Sequence, residues 1–160
     1  MNNRGQTMKS SVVGTSLLFF SLVSCTHLPA SGGEYGAGIT VREIAKTTVT
    51  ADGQPVRYLR ADRPEVTALI VEIPPGGETG WHLHPVPVYA YIIKGTLDVE
   101  MGNGDVRTYH EGDAIIEMVN TPHNGKNRGS APVKLVAFYT GEQGKPNTIK
   151  IKEEKKPEGK

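Results

Sequence analysis

The sequence has one cysteine, Cys25, so no intramolecular disulfide can form. Charge of neither sign dominates: 18 Lys and Arg stand against 17 Asp and Glu, a formal balance of +1. That balance carries no electrostatic footprint for DNA or RNA, and no nucleic-acid partner is expected. No apolar run reaches the roughly 20 residues that a membrane-spanning helix needs. No convincing amphipathic helix stands out either. Glycine and proline, by contrast, are plentiful, at 19 and 11 in 160 residues. They favour short strands joined by many turns over a helical bundle. Hydrophobic residues at 37%, with the glycines, match an ordinary globular domain rather than a disordered chain. The length suits one domain with a tail.

The N-terminus reads as an address. Arg4 and Lys9 precede an apolar run, Val12 to Val23, that leads into Leu22-Val23-Ser24-Cys25. A basic start, a short apolar run and small residues at the exit describe a secretory signal peptide over 1–24. The four residues ending in Cys25 resemble a bacterial lipobox. That resemblance implies cleavage before Cys25 and diacylglycerol on its thiol, the protein then being held by lipid in the bacterial cell envelope. By resemblance to Gram-negative lipoproteins, Thr26 in place of Asp favours the outer membrane, facing the periplasm; ordinary secretion with a free thiol is the alternative. Several acyl chains anchor stably where one does not. Residues 25–38 then form the lipidated cysteine and a Gly/Ala/Ser/Pro-rich tether that includes His27.

From Ile39 to Gln143, β-branched runs alternate with turn signals, which predicts strands near 39–49, 55–60, 66–73, 80–84, 88–94, 96–101, 106–110, 113–118, 121–124 and 132–140. Asn103-Gly104 between two alternating runs is the strongest hairpin signal. The expected fold class is therefore all-β, a sandwich or barrel. Residues 144–160, rich in Lys and Glu, read as a charged, disordered tail in which Ile149 and Ile151 could add an edge strand.

Five histidines occur: His27, His82, His84, His110 and His123. His82 and His84 are two apart, so on a strand both imidazoles project from one face and can reach one metal ion. His123, in a turn-bounded strand, is the candidate third ligand. Neutral imidazole suits Fe, Zn, Ni and Cu. His110 has no partner at useful spacing.

These residues sit in a pattern that resembles the cupin superfamily, a jelly-roll-type β-barrel. Gly76, His82, His84 and Gly95 fall at the spacing of the first cupin motif, and Gly112, His123 and Asn127 at that of the second. The resemblance implies a single-domain cupin barrel over 39–143 with a divalent metal on His82, His84 and His123. Two departures stand out. Val88 holds the place of the motif's metal-binding glutamate, with Tyr89 there under a looser spacing. Met118 and Asn120 replace a Pro and a Gly, which touches a turn more than chemistry. Glu78 is one candidate to replace the carboxylate. Glu117 is a candidate to orient an imidazole. Val88, Ala90 and Ile92, with Ile115 and Phe138, are expected to line an apolar pocket, with Tyr89 and Tyr91 on the other strand face. Trp81 is assigned to outer packing and Asn127 to structure.

Three neutral ligands would leave the metal its full charge and open positions. The resemblance associates such centres with iron dioxygenases acting on thiols or diketones, so Fe is the first choice, with Mn, Zn, Ni and Cu open. Three readings stand. One is an iron-dependent oxygenase acting on a small molecule. Another is a non-catalytic periplasmic module that captures a small ligand. The third is a metal-free barrel with hydrogen-bonded histidines. A homodimer formed through the sheets, with residues 39–50 added to a partner's edge, is a further expectation.

Overall fold

The computed structural model describes residue 36 and residues 38–152. The expected signal peptide, Cys25 and His27 lie outside the described residues, as do 153–160. The chain divides into two units, Met1–Val41 and Arg42–Lys160. Of the first, the described residues are exposed, with a turn closed by Ile39 N–H to the Gly36 carbonyl at 3.3 Å.

The second unit holds nine strands and, among the described residues, no helix. They are β1 (Pro64–Ile73), β2 (His82–Leu83), β3 (Val88–Lys94), β4 (Thr96–Met101), β5 (Val106–His110), β6 (Ala114–Ile116), β7 (His123–Lys126), β8 (Val133–Glu142) and β9 (Ile149–Lys150). They form two antiparallel sheets, β1-β8-β3-β6 and β5-β4-β7-β2-β9. This is an all-β jelly roll.

Period-two patterning explains the strands. In β8, Val133, Leu135, Ala137 and Tyr139 are buried, and the residues between them are less so. β3 buries Val88, Ala90 and Ile92, and β4 buries Leu97, Val99 and Met101. One face of each strand thus meets the core, in which Ile92, Met118, Val88 and Val133 are the largest apolar side chains shut off from solvent. The outer face of the four-stranded sheet keeps apolar groups in view, among them Val66, Ile70 and Phe138.

The Asn103-Gly104 hairpin joins β4 to β5, with Gly104 at φ 91°. At Gly95 the chain crosses from the first sheet to the second. Its φ is 87°, and a Cβ there would lie 2.8 Å from the Pro132 carbonyl oxygen. Only glycine suits both demands.

One expectation needs correction. Residues 39–49 and 55–60 form no ladder; a single bridge, Val49 to Pro55, is all that pairs there. The β-branched runs find no neighbouring strand, and strand propensity without a partner does not hold a strand. Within residues 144–160, the edge strand offered by Ile149 forms. β9 pairs with β2, and the Ile151 N–H reaches the Trp81 carbonyl at 2.9 Å, which ties residues 149–151 to the barrel.

Candidate metal centre

β2 and β7 are neighbours in the five-stranded sheet, and His82 pairs directly with His123. Cross-strand partners share a face, with Cβ atoms about 5 Å apart. His84, two residues after His82, returns to that same face. The ligating nitrogens of the three lie within 4.8 Å of one another. Ring centroids are 4.8 Å apart for His82–His84, 4.4 Å for His82–His123 and 5.1 Å for His84–His123. His84 and His123 are buried and His82 is partly so.

Backbone carbonyls fix how each ring presents itself. His82 Nδ1 is 2.7 Å from the Gly80 oxygen, His84 Nδ1 is 2.9 Å from the Asn147 oxygen, and His123 Nδ1 is 2.9 Å from the Thr121 oxygen. A carbonyl only accepts, so each Nδ1 carries a proton and each neutral ring turns an Nε2 lone pair toward the others. Three converging lone pairs, each tautomer set by its own acceptor, match the donor set of a divalent metal ion. Thr121 is itself held by Asp52, whose carboxylate accepts from the Thr121 hydroxyl at 2.8 Å.

One carboxylate joins them. Glu117 Oε2 lies 3.2 Å from His84 Nε2 and 3.5 Å from His123 Nε2. Glu117 follows buried Ile115 at i+2 from the end of β6, so alternation turns it inward. A carboxylate thus stands beside two of the three imidazoles. Electrostatics reflect the crowding. Burial pushes His82 down to about 4, reinforced by the neighbouring imidazoles and opposed by the Gly80 carbonyl. Burial also works to lower His123, but the Glu117 carboxylate and the Thr121 carbonyl outweigh it and raise His123. Burial would lift Glu117; the two imidazoles reverse that and hold it at about 2.

The other sequence candidates lie elsewhere. Glu78 faces away from the histidines, accepting from Asn124 Nδ2 at 2.9 Å. His110 is exposed near Asp113. Asn127 is buried and structural: its amide donates to the Ile73 and Ala131 carbonyls and its oxygen accepts from Gly129 N–H. Trp81 is half-buried. Asn120, standing where the resembled motif has glycine, still adopts φ 60°, a conformation that Asn tolerates better than most residues.

A cavity of about 60 Å³ opens beside the imidazoles. Val71, Leu97, Val99, Ile115 and Leu135 supply much of its apolar wall. Val88, Ala90 and Ile92 belong to the packed core and are not part of this wall; Phe138 stands on the outer surface. A phenol also approaches the histidines, the ring centroid of Tyr139 lying 5.3 Å from that of His84. Burial raises its pKa, so it stays protonated. Its inward phase on β8 was visible in the alternation; its approach to His84 was not.

Residues 69–139 match the family model of the cupin domain. The fold is that of a cupin jelly roll. Similar solved structures include an oxalate decarboxylase from Lactobacillus farciminis in a formate complex (24% identity, TM-score 0.47, covering 54% of this chain and 26% of that one). Another is an uncharacterized conserved protein with a double-stranded β-helix domain from Klebsiella pneumoniae (20% identity, TM-score 0.48, covering 57% of this chain and 87% of that one). A third is an oxalate oxidase in complex with the substrate analogue glycolate (20% identity, TM-score 0.47, 54% and 46%). The matched cupin barrel thus spans about a quarter of the decarboxylase and under half of the oxidase. No curated protein matches the chain.

Proposed function

We propose that this cupin binds one divalent metal ion on His82, His84 and His123 and acts as an iron-dependent oxygenase on a small molecule. The observation that carries the metal reading is the convergence of three Nε2 lone pairs whose tautomers are set by backbone carbonyls. A bound iron would supply the redox chemistry that activates dioxygen. The chain's own residues supply the rest. The cavity admits a molecule the size of a few waters, at roughly 10–15 Å³ for each water. Its apolar wall excludes bulk water. Apart from the imidazoles, its polar side chains are Thr79, Glu117 and Tyr139. Glu117 is engaged by two imidazoles and Tyr139 stays protonated, so no free base stands ready for hydrolysis. That absence favours oxygen chemistry over hydrolytic chemistry.

The test is metal content by plasma mass spectrometry on the wild type and on a His82→Ala/His84→Ala variant, followed by oxygen uptake. Near-stoichiometric iron, lost in the variant, with uptake on adding a small thiol or diketone, is the expected result. No metal in either protein after reconstitution overturns the metal reading. Zinc with a tightly retained small ligand would replace the oxygenase with a capture module.

The N-terminal pattern supports a further proposal, that lipid on Cys25 holds the barrel at the periplasmic side of the outer membrane. The intact mass of the protein extracted from membranes should show a diacylglyceryl group on Cys25; an unmodified thiol would refute it.

A further inference from the structure

We infer that Glu117 is the fourth protein ligand of this metal centre. The inference rests on the metal reading above and adds a donor to it. At metal–ligand distances of about 2.0–2.2 Å, two donors on one ion stand about 2.8–3.6 Å apart, for angles between octahedral and tetrahedral. Glu117 Oε2 meets His84 Nε2 at 3.2 Å and His123 Nε2 at 3.5 Å, both inside that window.

Hydrogen bonding gives a second argument. His84 and His123 already donate from Nδ1 to the Asn147 and Thr121 carbonyls. As neutral rings they have only a lone pair left at Nε2, and a carboxylate oxygen also offers only lone pairs. Lone pairs at these distances repel unless a proton, which charges the ring, or a metal ion lies between them. One metal ion shared by the four groups answers this without charging buried imidazoles.

Topology supplies a third. Glu117 N–H donates to the Val88 carbonyl at 3.0 Å, continuing the antiparallel pairing of β3 with β6. Val88 is the position at which the first motif has its carboxylate, and it is buried valine here. Glu117 delivers a carboxylate to the same interior from the neighbouring strand. With it the site carries three neutral donors and one anion. A dication held there would keep a net charge of about +1.

Cobalt(II) titration of the full chain, read by visible absorption, tests this. Wild type should bind with a defined ligand-field spectrum. Glu117→Ala should weaken binding by at least about tenfold and change that spectrum. Millimolar acetate should restore the wild-type spectrum to the variant and leave wild type unaffected. Glu117→Gln, of nearly the same shape, should also change the spectrum and provides the reading if the alanine variant fails to fold. A wild-type spectrum in the variants overturns the inference, whether affinity is kept or lost. In the first case Glu117 is dispensable, and in the second it only positions imidazoles. Cobalt bound by wild type but not by His82→Ala/His84→Ala keeps the metal reading standing in either event. No cobalt bound by wild type removes both.

Discussion

The two sheets of the barrel are built to different standards. In the four-stranded sheet, β1 and β8 pair in register over ten residues, from Pro64 with Glu142 to Ile73 with Val133. In the five-stranded sheet, β2 and β9 are two residues long, and β2 meets β7 at a single pair, His82 with His123. The long ladders carry regular alternation and much of the core. The short ones carry the histidines. A continuous ladder commits each backbone group to its neighbour strand. Where strands are short, carbonyls such as those of Gly80, Thr121 and Asn147 are left to accept from imidazoles. Regularity holds the barrel, and interruption equips the site.

Breaking the irregular sheet at its ligands should separate these roles most sharply. His82→Ala/His84→Ala should lower metal affinity at least about a hundredfold while the metal-free barrel still unfolds cooperatively, since the ladders of the other sheet are untouched. Metal titration and thermal unfolding of the same samples check both halves. The converse change is Ile92→Ala in β3, at a side chain with no exposure. It should cost about 3 kcal/mol in denaturant unfolding and leave metal stoichiometry intact below the transition.

Gly95 joins the two sheets. Gly95→Ala should cost about 2–3 kcal/mol, because a left-handed backbone and a collision with the Pro132 carbonyl act together. Gly104→Ala, in the hairpin of the irregular sheet, has a similar φ but open space around it and should cost about 1–2 kcal/mol. Equal costs at the two glycines would mean that the crossing at Gly95 tolerates displacement.

Acid should weaken the site's own contribution in a set order. In the metal-free protein His82 is held at about 4, against 6.5 in the unfolded chain, so the unfolded chain takes up that proton first. Stability falls as pH drops from about 6.5 to about 4. His123 is raised, so its contribution is present below 6.5 and is lost as pH climbs through its folded pKa. Glu117 is depressed, and its contribution is lost only as pH falls below about 4.5 toward about 2. Thermal unfolding of metal-free protein should therefore show its maximum near pH 6.5 on the histidine account, and His82→Ala should flatten the acid side. The smallest effect is expected on the outer face of the regular sheet. Ile70→Thr, at a residue 57% exposed, should change stability by no more than about 0.5 kcal/mol.

The regular elements were legible because alternation and turn chemistry act locally. The strand predicted at 88–94 and the hairpin at Asn103-Gly104 stand where their side-chain patterns put them. Residues 39–60 carry similar β-branched runs, yet a ladder needs a second strand that no local pattern guarantees. The histidines were legible in part: a spacing of two says that His82 and His84 share a face, and the motif resemblance added His123.

By itself the sequence determined an all-β fold, through period-two burial and glycines at turns. Through the His-x-His spacing it put His82 and His84 on one face. These are all properties of neighbouring residues; the cupin barrel and His123 came from the motif resemblance. Tertiary structure alone decided that His82 pairs with His123, that Asn147 sets the tautomer of His84 across 63 residues, and that Glu117 rather than Glu78 reaches the imidazoles. Each of these depends on which strands become neighbours. That choice is made by the packing of the whole chain, because a contact between distant residues is stable only once the strands carrying both have been brought together.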